Sequence, residues 1–383
     1  MKKENMIFRL KMEIASLVNE MVSKLPETLF LSDSTTFLDP SMASGQYVAA
    51  IEQRLRTHGH SDENIKSRVF GVEKNMLRVN YAIKKNKLVG TYSVDVNDIP
   101  SILIGYMKFD CIVGNPPYQR KVGPNNTEPL WHIFVDKSIT ALTEGGYLCY
   151  VHPSGWRDVT GRYDKTKNLI ISKDIQYLEI HNKLDGIKTF GATTSYDWYI
   201  LKNSPSVKKT TVKFQDGSTK IIDLNALSFI PNGSYDKIVS LLAKNGEDVV
   251  KIIHSYSEYE TRKPHIRKEK IGNFIYPCAY IVKTDNSLEL VYSNVKKAHF
   301  GTPKLIWGNG GCGMGSFLDR DGKYGLTQFC YAIVDDSKNL NDIKKSFDSE
   351  EFRNLMKCCA DNSGNINRKV LALFRKDFYK DFI

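Results

Sequence analysis

The sequence predicts an α/β protein with a doubly wound, mostly parallel sheet in its first half and a mixed α/β domain after it. Short apolar segments that end in an acid or an amide predict the strands of that sheet. The length of 383 residues is typical of two domains rather than one. A polar, proline-containing stretch at 202–206 favours a boundary there. We therefore expect one domain over residues 1–204 and another over 205–383.

The first 30 residues predict an amphipathic helix. Apolar side chains recur there at helical spacing, at Ile14, Leu17, Val18, Met21, Val22 and Leu25. The segment has no apolar run of the signal-peptide type, and nowhere is a run long enough to cross a bilayer. The sequence therefore predicts a protein without a membrane partner.

The next feature is a strand that turns into a loop of small residues. Thr36, Phe37 and Leu38 read as the strand, and an Asp-Pro turn follows them. Small residues let the backbone approach a ligand, and a helix start offers free N–H groups. The loop residues that we assign to ligand binding are Asp39, Pro40, Ser41, Met42, Ala43 and Gly45.

Two further strands also end in acids. Val69 to Glu73 is an apolar strand with Glu73 at its end, and Thr91 to Val96 runs into Asn97 and Asp98. An acid at the end of the second strand is suited to bind ribose hydroxyls in nucleoside-binding folds. Either Asp95 or Asp98 is then placed to face the adenine of a cofactor.

A fourth apolar strand leads into Asn115, Pro116, Pro117 and Tyr118. The amino group on an aromatic ring is a poor nucleophile because its lone pair is delocalised. The Asn115 oxygen and the Pro116 carbonyl can each accept one of its hydrogens and so free the lone pair. Proline stiffens the loop, and Tyr118 offers a face on which a base can stack. The tetrapeptide therefore predicts methyl transfer to a planar amine.

These motifs together resemble the DNA adenine-N6 methyltransferases that use S-adenosylmethionine and carry the cofactor motif before the catalytic motif. The likeness covers residues 30–202. Asp39 to Gly45 matches the family's Asp-Pro-x-x-Gly-Ser-Gly loop, with Ala43 in place of the first glycine. Asn115 to Tyr118 matches the catalytic motif in full.

The resemblance implies roles for individual residues. Glu73 would hold the cofactor ribose, Asp98 or Asp95 its adenine, and Asn115 would lie beside the cofactor. Asn115, Pro116, Pro117 and Tyr118 would be catalytic. An aromatic residue at the position of Phe190 stacks on the far face of the extruded base in this family, and we expect Thr189 to Leu201 to form a strand near the site.

Charge indicates the partner of the second domain. The net charge is +11, and the part after residue 204 is the more basic, which suits a polyanion. A run of aromatic, hydroxyl and cationic side chains from residue 255 to 268 favours contacts with phosphates and base edges. The cations that we assign to DNA binding are Arg262, Lys263, Arg267 and Lys268. We expect duplex DNA as the partner of this domain.

The spacing of the cysteines and the absence of metal-ligand motifs bear on metal binding and on cellular location. The seven cysteines have no repeated spacing that predicts disulfides or a zinc site. We expect no metal, a cytoplasmic protein of prokaryotic or phage origin, and any cognate restriction endonuclease to be encoded separately.

Other functions stay open on the sequence alone. The same tetrapeptide serves methyltransferases that act on RNA, including rRNA, or on protein glutamine. Cytosine-N4 enzymes more often carry serine at the position of Asn115. A non-catalytic DNA-binding module on the same fold is a further reading, and Ala43 is the one feature in its favour.

Overall fold

The computed structural model describes residues 2–159, 161–310, 315–359 and 366–383. The chain forms two compact units, Met1–Ile230 and Pro231–Ile383. Within the described ranges, no helix has both the length and the apolar character needed to cross a bilayer.

The strands of the first unit come in two groups, a central sheet and a small hairpin. They are β1 (Phe37–Asp39), β2 (Val69–Glu73), β3 (Thr91–Val94), β4 (Phe109–Gly114), β5 (Gln119–Lys121), β6 (Thr127–Pro129), β7 (Leu142–Pro153), β8 (Lys173–His181), β9 (Tyr196–Pro205), β10 (Thr210–Lys213) and β11 (Thr219–Ile222). Strands β5 and β6 pair only with each other, as the hairpin.

Among the residues described, nine strands form the central sheet in the order β11-β10-β8-β9-β7-β4-β1-β2-β3. The neighbours from β7 to β3 are parallel, whereas β9 is antiparallel to both β7 and β8. The chain runs outward from β1 to β3 and then returns to the other side of β1 as β4. The strand order therefore reverses between β1 and β4, where open α/β sheets bind ligands. The predicted fold class is confirmed.

Helices cover this sheet and set the core. They are α1 (Lys2–Ser23), α2 (Thr28–Leu31), α3 (Gln46–Thr57), α4 (Asp62–Arg68), α5 (Met76–Asn86), α6 (Trp131–Ala141), α7 (Asp164–Ile171) and α8 (Lys183–Phe190). The predicted first helix is confirmed: Leu17, Val18, Met21 and Val22 are buried against the residues of β1 and α3.

The boundary between the units corrects the predicted boundary at residue 204. Strand β10 pairs in parallel with β8, with Val212 beside Leu178, and β11 pairs with β10. Both strands thus extend the first sheet, and the first unit ends at Ile230. The alternating pattern of residues 211–214 and 220–224 is typical of strands, but pattern alone does not say which sheet a strand joins.

The predicted strand from Thr189 to Leu201 is also corrected at its start. Thr189 and Phe190 end α8, whose first turn carries a capping box between Asn182 and Asp185. Gly191 closes the helix in the left-handed conformation, and strand β9 begins at Tyr196. The helix therefore presents Phe190 from a rigid, capped element.

In its described residues, the second unit contains two four-stranded sheets and short helices. Its strands are β12 (Ile252–His254), β13 (Ile266–Arg267), β14 (Tyr276–Val282), β15 (Leu288–Ser293), β16 (Lys304–Gly308), β17 (Ser316–Asp319), β18 (Gly325–Leu326) and β19 (Cys330–Ile333). Its helices are α9 (Tyr235–Leu241), α10 (Ser337–Asp348), α11 (Glu350–Cys358) and α12 (Arg368–Leu371). The sheet orders are β12-β19-β16-β17 and β13-β15-β14-β18. This is a mixed α/β unit, as predicted.

Candidate functional site

The carboxyl ends of β1, β2, β3 and β4 surround a cavity of about 440 Å³. That volume falls within the roughly 300–1,000 Å³ of small-molecule sites. The predicted site residues that line it are Pro40, Ser41, Ala43, Glu73, Asp95, Asp98, Asn115 and Pro117. The sheet thus brings together side chains from four strand ends that are up to 77 positions apart in the chain, from Pro40 to Pro117.

Several predicted residues lie behind this lining. The Met42 side chain is buried in the core of the first unit, although its backbone N–H donates to the Val72 carbonyl at 2.8 Å. Gly45 has φ +74°, and a Cβ there would lie 3.1 Å from Ala82 and from Leu88. These residues hold the loop in shape rather than form the cavity wall.

Asp39 is buried at the end of β1, and only one of its two carboxylate oxygens is hydrogen-bonded within the described ranges. Its Oδ1 accepts the Ser41 N–H at 3.0 Å, but Oδ2 has no hydrogen-bond partner among the described residues. Burial raises the pKa of Asp39 to about 7; the Ser41 N–H opposes this rise, and the negative charge of Glu73 adds to it. A buried acceptor without a donor is costly, so this oxygen is suited to receive a donor or a positive charge from a ligand.

The loop after β4 is shaped by Gly114. It has φ +154°, and a Cβ there would lie 3.0 Å from Asp39 Oδ1. Only glycine allows this close approach of β4 to the Asp39 carboxylate. The strand end is therefore fixed directly beside the loop that follows β1, residues 39–45.

Asn115 follows at once, and the oxygen of its side-chain amide is placed to bind a donor. Its Oδ1 is buried and has no partner within the described ranges. Its own carbonyl accepts a hydrogen bond from Ser41 Oγ at 3.4 Å, which ties the two loops together. Pro116 is buried and Pro117 is exposed. The backbone is thus held, while the amide oxygen remains available at the cavity.

Tyr118 and Phe190 lie next to each other, as the base-stacking hypothesis requires. Their ring centroids are 6.4 Å apart, but the planes meet at 78°. Burial raises the pKa of the Tyr118 hydroxyl, and the Asn115 amide opposes this rise. Since the rings are perpendicular, a flat base fits between them only after one ring turns.

Two residues that the sequence reasoning missed extend this aromatic row. Phe190 packs edge-on against Tyr196 at 4.9 Å, and Tyr196 stacks on His181 at 4.4 Å and 9°. His181 ends β8 and Tyr196 begins the antiparallel β9, so both lie at the same edge of the sheet as Asn115. Their distance in sequence from the catalytic motif left no local signal.

The two candidate acids after β3 differ in their partners. The Asp95 carboxylate accepts two backbone N–H groups, from Asn97 at 2.9 Å and Ser101 at 2.6 Å, and the Ser101 bond is the main cause of its lowered pKa. Asp98 instead lies 2.5 Å from Lys74 Nζ and 3.2 Å from Arg120 Nη1. Asp95 therefore shapes the loop, whereas Asp98 makes side-chain contacts that can exchange.

Lys74 and Arg120 both line the cavity and were not assigned from the sequence. Lys74 directly follows Glu73, and Arg120 lies two residues after Tyr118. Bonds to the two cations lower the pKa of Asp98, with that to Lys74 the larger. Position next to a recognised motif was the signal that would have identified them.

Ala43 occupies a backbone conformation that favours glycine. Its φ is +45°, and a side chain in the left-handed region costs about 1 kcal/mol or more. We expect Ala43→Gly to raise the free energy of unfolding by about 1 kcal/mol, and to tighten cofactor binding because the loop is no longer strained. Denaturant titration and calorimetric binding would measure the two effects.

The matched control for Ala43→Gly is Ala50→Gly. Ala50 lies inside α3, where glycine lowers the stability of a helix by roughly 1 kcal/mol. The free energy of unfolding is therefore expected to rise in Ala43→Gly and to fall in Ala50→Gly. Equal destabilisation by both variants would contradict the assignment of strain to Ala43.

The cations assigned to DNA binding all lie in the second unit. Arg262 is 88% exposed and lies 3.6 Å from Glu260, while Lys263 lies 4.0 Å from the same acid. Arg267 holds its guanidinium 5.1 Å above the Phe274 ring. Lys268 is exposed. The segment therefore presents cations to solvent beside β13.

Metal binding has no support in the described ranges: His, Cys, Asp and Glu side chains nowhere gather there in a group of three that could hold an ion. Cys111, Cys149, Cys278 and Cys330 are free thiols and are buried.

Comparison with known proteins gives one family match. Residues 47–187 match the model of the Eco57I restriction-modification methylase family. The chain is also 30% identical over 187 residues to the modification methylase CviBIII of Paramecium bursaria Chlorella virus NC1A. That alignment covers 46% of this chain and 45% of the relative, so the chain spans less than half the length of the curated relative it matches.

Solved structures of restriction-modification enzymes are similar over more of the chain. The type IIL enzyme MmeI in complex with DNA has a TM-score of 0.49 at 12% identity and covers 95% of this chain and 65% of that one. The type IIG endonuclease BpuSI has a TM-score of 0.49 at 8% identity, with coverages of 97% and 60%.

Proposed function

We propose that this chain, whose residues 47–187 match the model of the Eco57I restriction-modification methylase family, methylates the N6 amino group of an adenine in duplex DNA. The match supports a methyltransferase of the predicted kind, with S-adenosylmethionine as the methyl donor. The observation that carries the proposal is Asn115 Oδ1, a buried acceptor without a partner in the described ranges, at the end of β4 beside the cavity.

The cavity fits the cofactor by charge and by its free polar atoms. S-adenosylmethionine supplies an activated methyl group on a positively charged sulfur. The Asp39 carboxylate, with Oδ2 unpaired in the described ranges, would take the positive end of the cofactor. Glu73, at the end of β2, would accept the ribose hydroxyls. For the adenine we choose Asp98 over Asp95, because both oxygens of Asp95 already hold backbone N–H groups.

The residues after β4 would activate the target amine. Asn115 Oδ1 would accept one hydrogen of the adenine N6 group, and the Pro116 carbonyl would accept the other. Both acceptors are fixed before the substrate arrives, since Ser41 holds the Asn115 carbonyl and proline limits the backbone. The nitrogen lone pair is then directed at the cofactor methyl group, so positioning and electrostatics supply the rate enhancement.

An adenine inside a duplex cannot reach these groups, so the proposal requires base extrusion. Tyr118 and Phe190 would bind the two faces of the extruded base. In the structure their rings are perpendicular, so one ring must turn as the base enters. Phe190 is the better candidate because it lies at the last residue of α8 and is half-buried.

Substitutions at Phe190 would test this stacking role. We expect Phe190→Ala to lower kcat/KM for DNA by about tenfold, since stacking on an aromatic side chain contributes roughly 1–3 kcal/mol per base. Phe190→Trp should retain most of the activity because it keeps a flat face. Steady-state methylation kinetics would measure both. If Phe190→Ala is silent, Phe190 only packs against Tyr196.

The second unit would hold the duplex. Its exposed cations Arg262, Lys263, Arg267 and Lys268 would contact phosphates, which position DNA without reading its sequence. A basic target-recognition unit of this kind suits DNA protection in a restriction-modification setting.

Tritiated methyl transfer would test the proposed function. The chain would be incubated with labelled cofactor and either unmethylated genomic DNA or total RNA, and the labelled nucleoside would be identified after digestion. We expect label in DNA as N6-methyladenine. Label in RNA alone would overturn the DNA substrate, and N4-methylcytosine would overturn the target base. Cofactor binding without transfer to either would favour a non-catalytic module.

A further inference from the structure

Helix α8 carries an apolar strip that its packing does not use. Leu184, Ile187 and Phe190 are spaced by three residues and fall along one side of the helix. Leu184 is 74% exposed and Ile187 is 46% exposed, whereas Phe190 is half-buried against Tyr118 and Tyr196. The strip therefore runs from solvent to the proposed base pocket.

The helix that presents the strip is firmly held. Asn182 and Asp185 cap its start, and Gly191 closes its end. Gly186 faces the following loop so closely that a Cβ would lie 2.0 Å from the Thr194 carbonyl. The buried residues of α8 are Gly186 and Thr189, whereas Leu184 and Ile187 leave a large part of their side chains exposed. Large apolar side chains exposed together in this way mark an interaction surface.

The surroundings of the strip favour a nucleic acid as its partner. Lys183 precedes Leu184 and Lys188 follows Ile187; Lys188 is 56% exposed and lies 3.4 Å from Glu13. Two cations beside an apolar strip suit a phosphate backbone next to stacked bases. Leu and Ile are among the side chains that proteins insert between base steps when they distort DNA.

We propose that Leu184 and Ile187 form a wedge that enters the duplex beside the extruded nucleotide. The wedge would cover the apolar faces of the bases that lose their neighbour, on the same helix whose last residue, Phe190, binds the extruded base. Extrusion and gap filling would thus be performed by one rigid element. This inference rests on the proposed function, because it needs a base that leaves the stack.

The test uses the full chain with both exposed residues made polar, Leu184→Ser with Ile187→Ser. The probes are a duplex that contains the mapped target site and the same duplex with a mismatch opposite the target base. We expect KM for the matched duplex to rise by about tenfold, because the polar serine side chains would not cover the exposed base faces. The mismatch, which makes extrusion easy, should restore most of the loss, and the cofactor Kd should not change.

The matched control is Leu31→Ser. Leu31 is 62% exposed and ends α2, before the start of β1 and so towards the amino edge of the sheet. This variant should behave as the wild type on both duplexes. An unchanged KM in the double variant, or an equal loss on both duplexes, would overturn the wedge.

Two other results would be decisive against it in different ways. If the wild type sediments as a dimer that the double substitution dissociates without an effect on DNA kinetics, the strip is a surface for a second copy. If the wild type transfers no methyl group to DNA at all, the proposed function fails and the wedge fails with it. If the wedge hypothesis alone is wrong, the wild type still methylates DNA, so the two failures can be told apart.

Discussion

Replacing Asn115 by alanine is expected to reduce the rate of methyl transfer by at least about a hundredfold. This is the loss typical of removing one preorganised polar group from an active site. The substitution removes the one side-chain acceptor that would polarise the adenine amine. The protein should fold normally, because Asn115 Oδ1 makes no hydrogen bond within the described ranges. Tritium transfer to DNA would measure the loss, and calorimetry would show whether the cofactor still binds.

A second asparagine serves as the matched control for this experiment. Asn203 lies on β9 and donates from Nδ2 to the Thr143 carbonyl at 2.9 Å. Because β9 is antiparallel to β7, its later residues lie at the opposite edge of the sheet from the site. Asn203→Ala should therefore lose some stability and keep its turnover. Retained turnover in Asn115→Ala would remove the proposed catalytic role of the tetrapeptide.

The parts of the site that could be predicted from the sequence are those coded by local pattern. Each apolar run that ends in a polar residue became a strand, and Asp39, Glu73 and Asn115 meet because parallel strands share one carboxyl edge. The family that these residues resemble is the one that residues 47–187 match.

The parts that could not be predicted depend on contacts between distant segments. The sequence pattern assigned Met42 to ligand binding, but its side chain packs in the core of the first unit. Strands β10 and β11 joined the first sheet because β8 offered a free edge, which no local signal records. His181 and Tyr196 are 15 residues apart, and only the antiparallel pairing of β8 and β9 stacks their rings.

The second large effect is expected at Asp39, in the pH dependence of cofactor binding. Burial raises the pKa of Asp39 to about 7 in the cofactor-free protein. A positively charged ligand binds the carboxylate better than the neutral acid, so binding below pH 7 must release a proton. We expect the affinity for S-adenosylmethionine to rise as the pH increases towards 7 and to level off above it.

Asp39→Asn should remove this dependence. At pH 8 it should weaken cofactor binding by about 1.5–3 kcal/mol, the contribution of a hydrogen bond to a charged group. Below pH 7 the difference in cofactor-binding free energy between wild type and variant should shrink with each pH unit. The reason is that Asp39 of the wild type must first lose its proton, which costs free energy. Calorimetric titrations would measure how cofactor affinity changes with pH in both proteins. They would run from about pH 5.5 to about pH 8.5, roughly 1.5 units on either side of the Asp39 pKa.

Folding stability without cofactor should change in the opposite direction. An unfolded Asp39 ionises near its ordinary pKa of 3.8, well below the folded value of about 7. The folded state therefore loses stability as the pH rises from 3.8 to 7, and Asp39→Asn should not show this loss. The variant should be the more stable protein at pH 8 and the weaker binder. A cofactor affinity with the same pH slope in both proteins would mean that another group releases the proton, and that Asp39 does not receive the positive end of the cofactor.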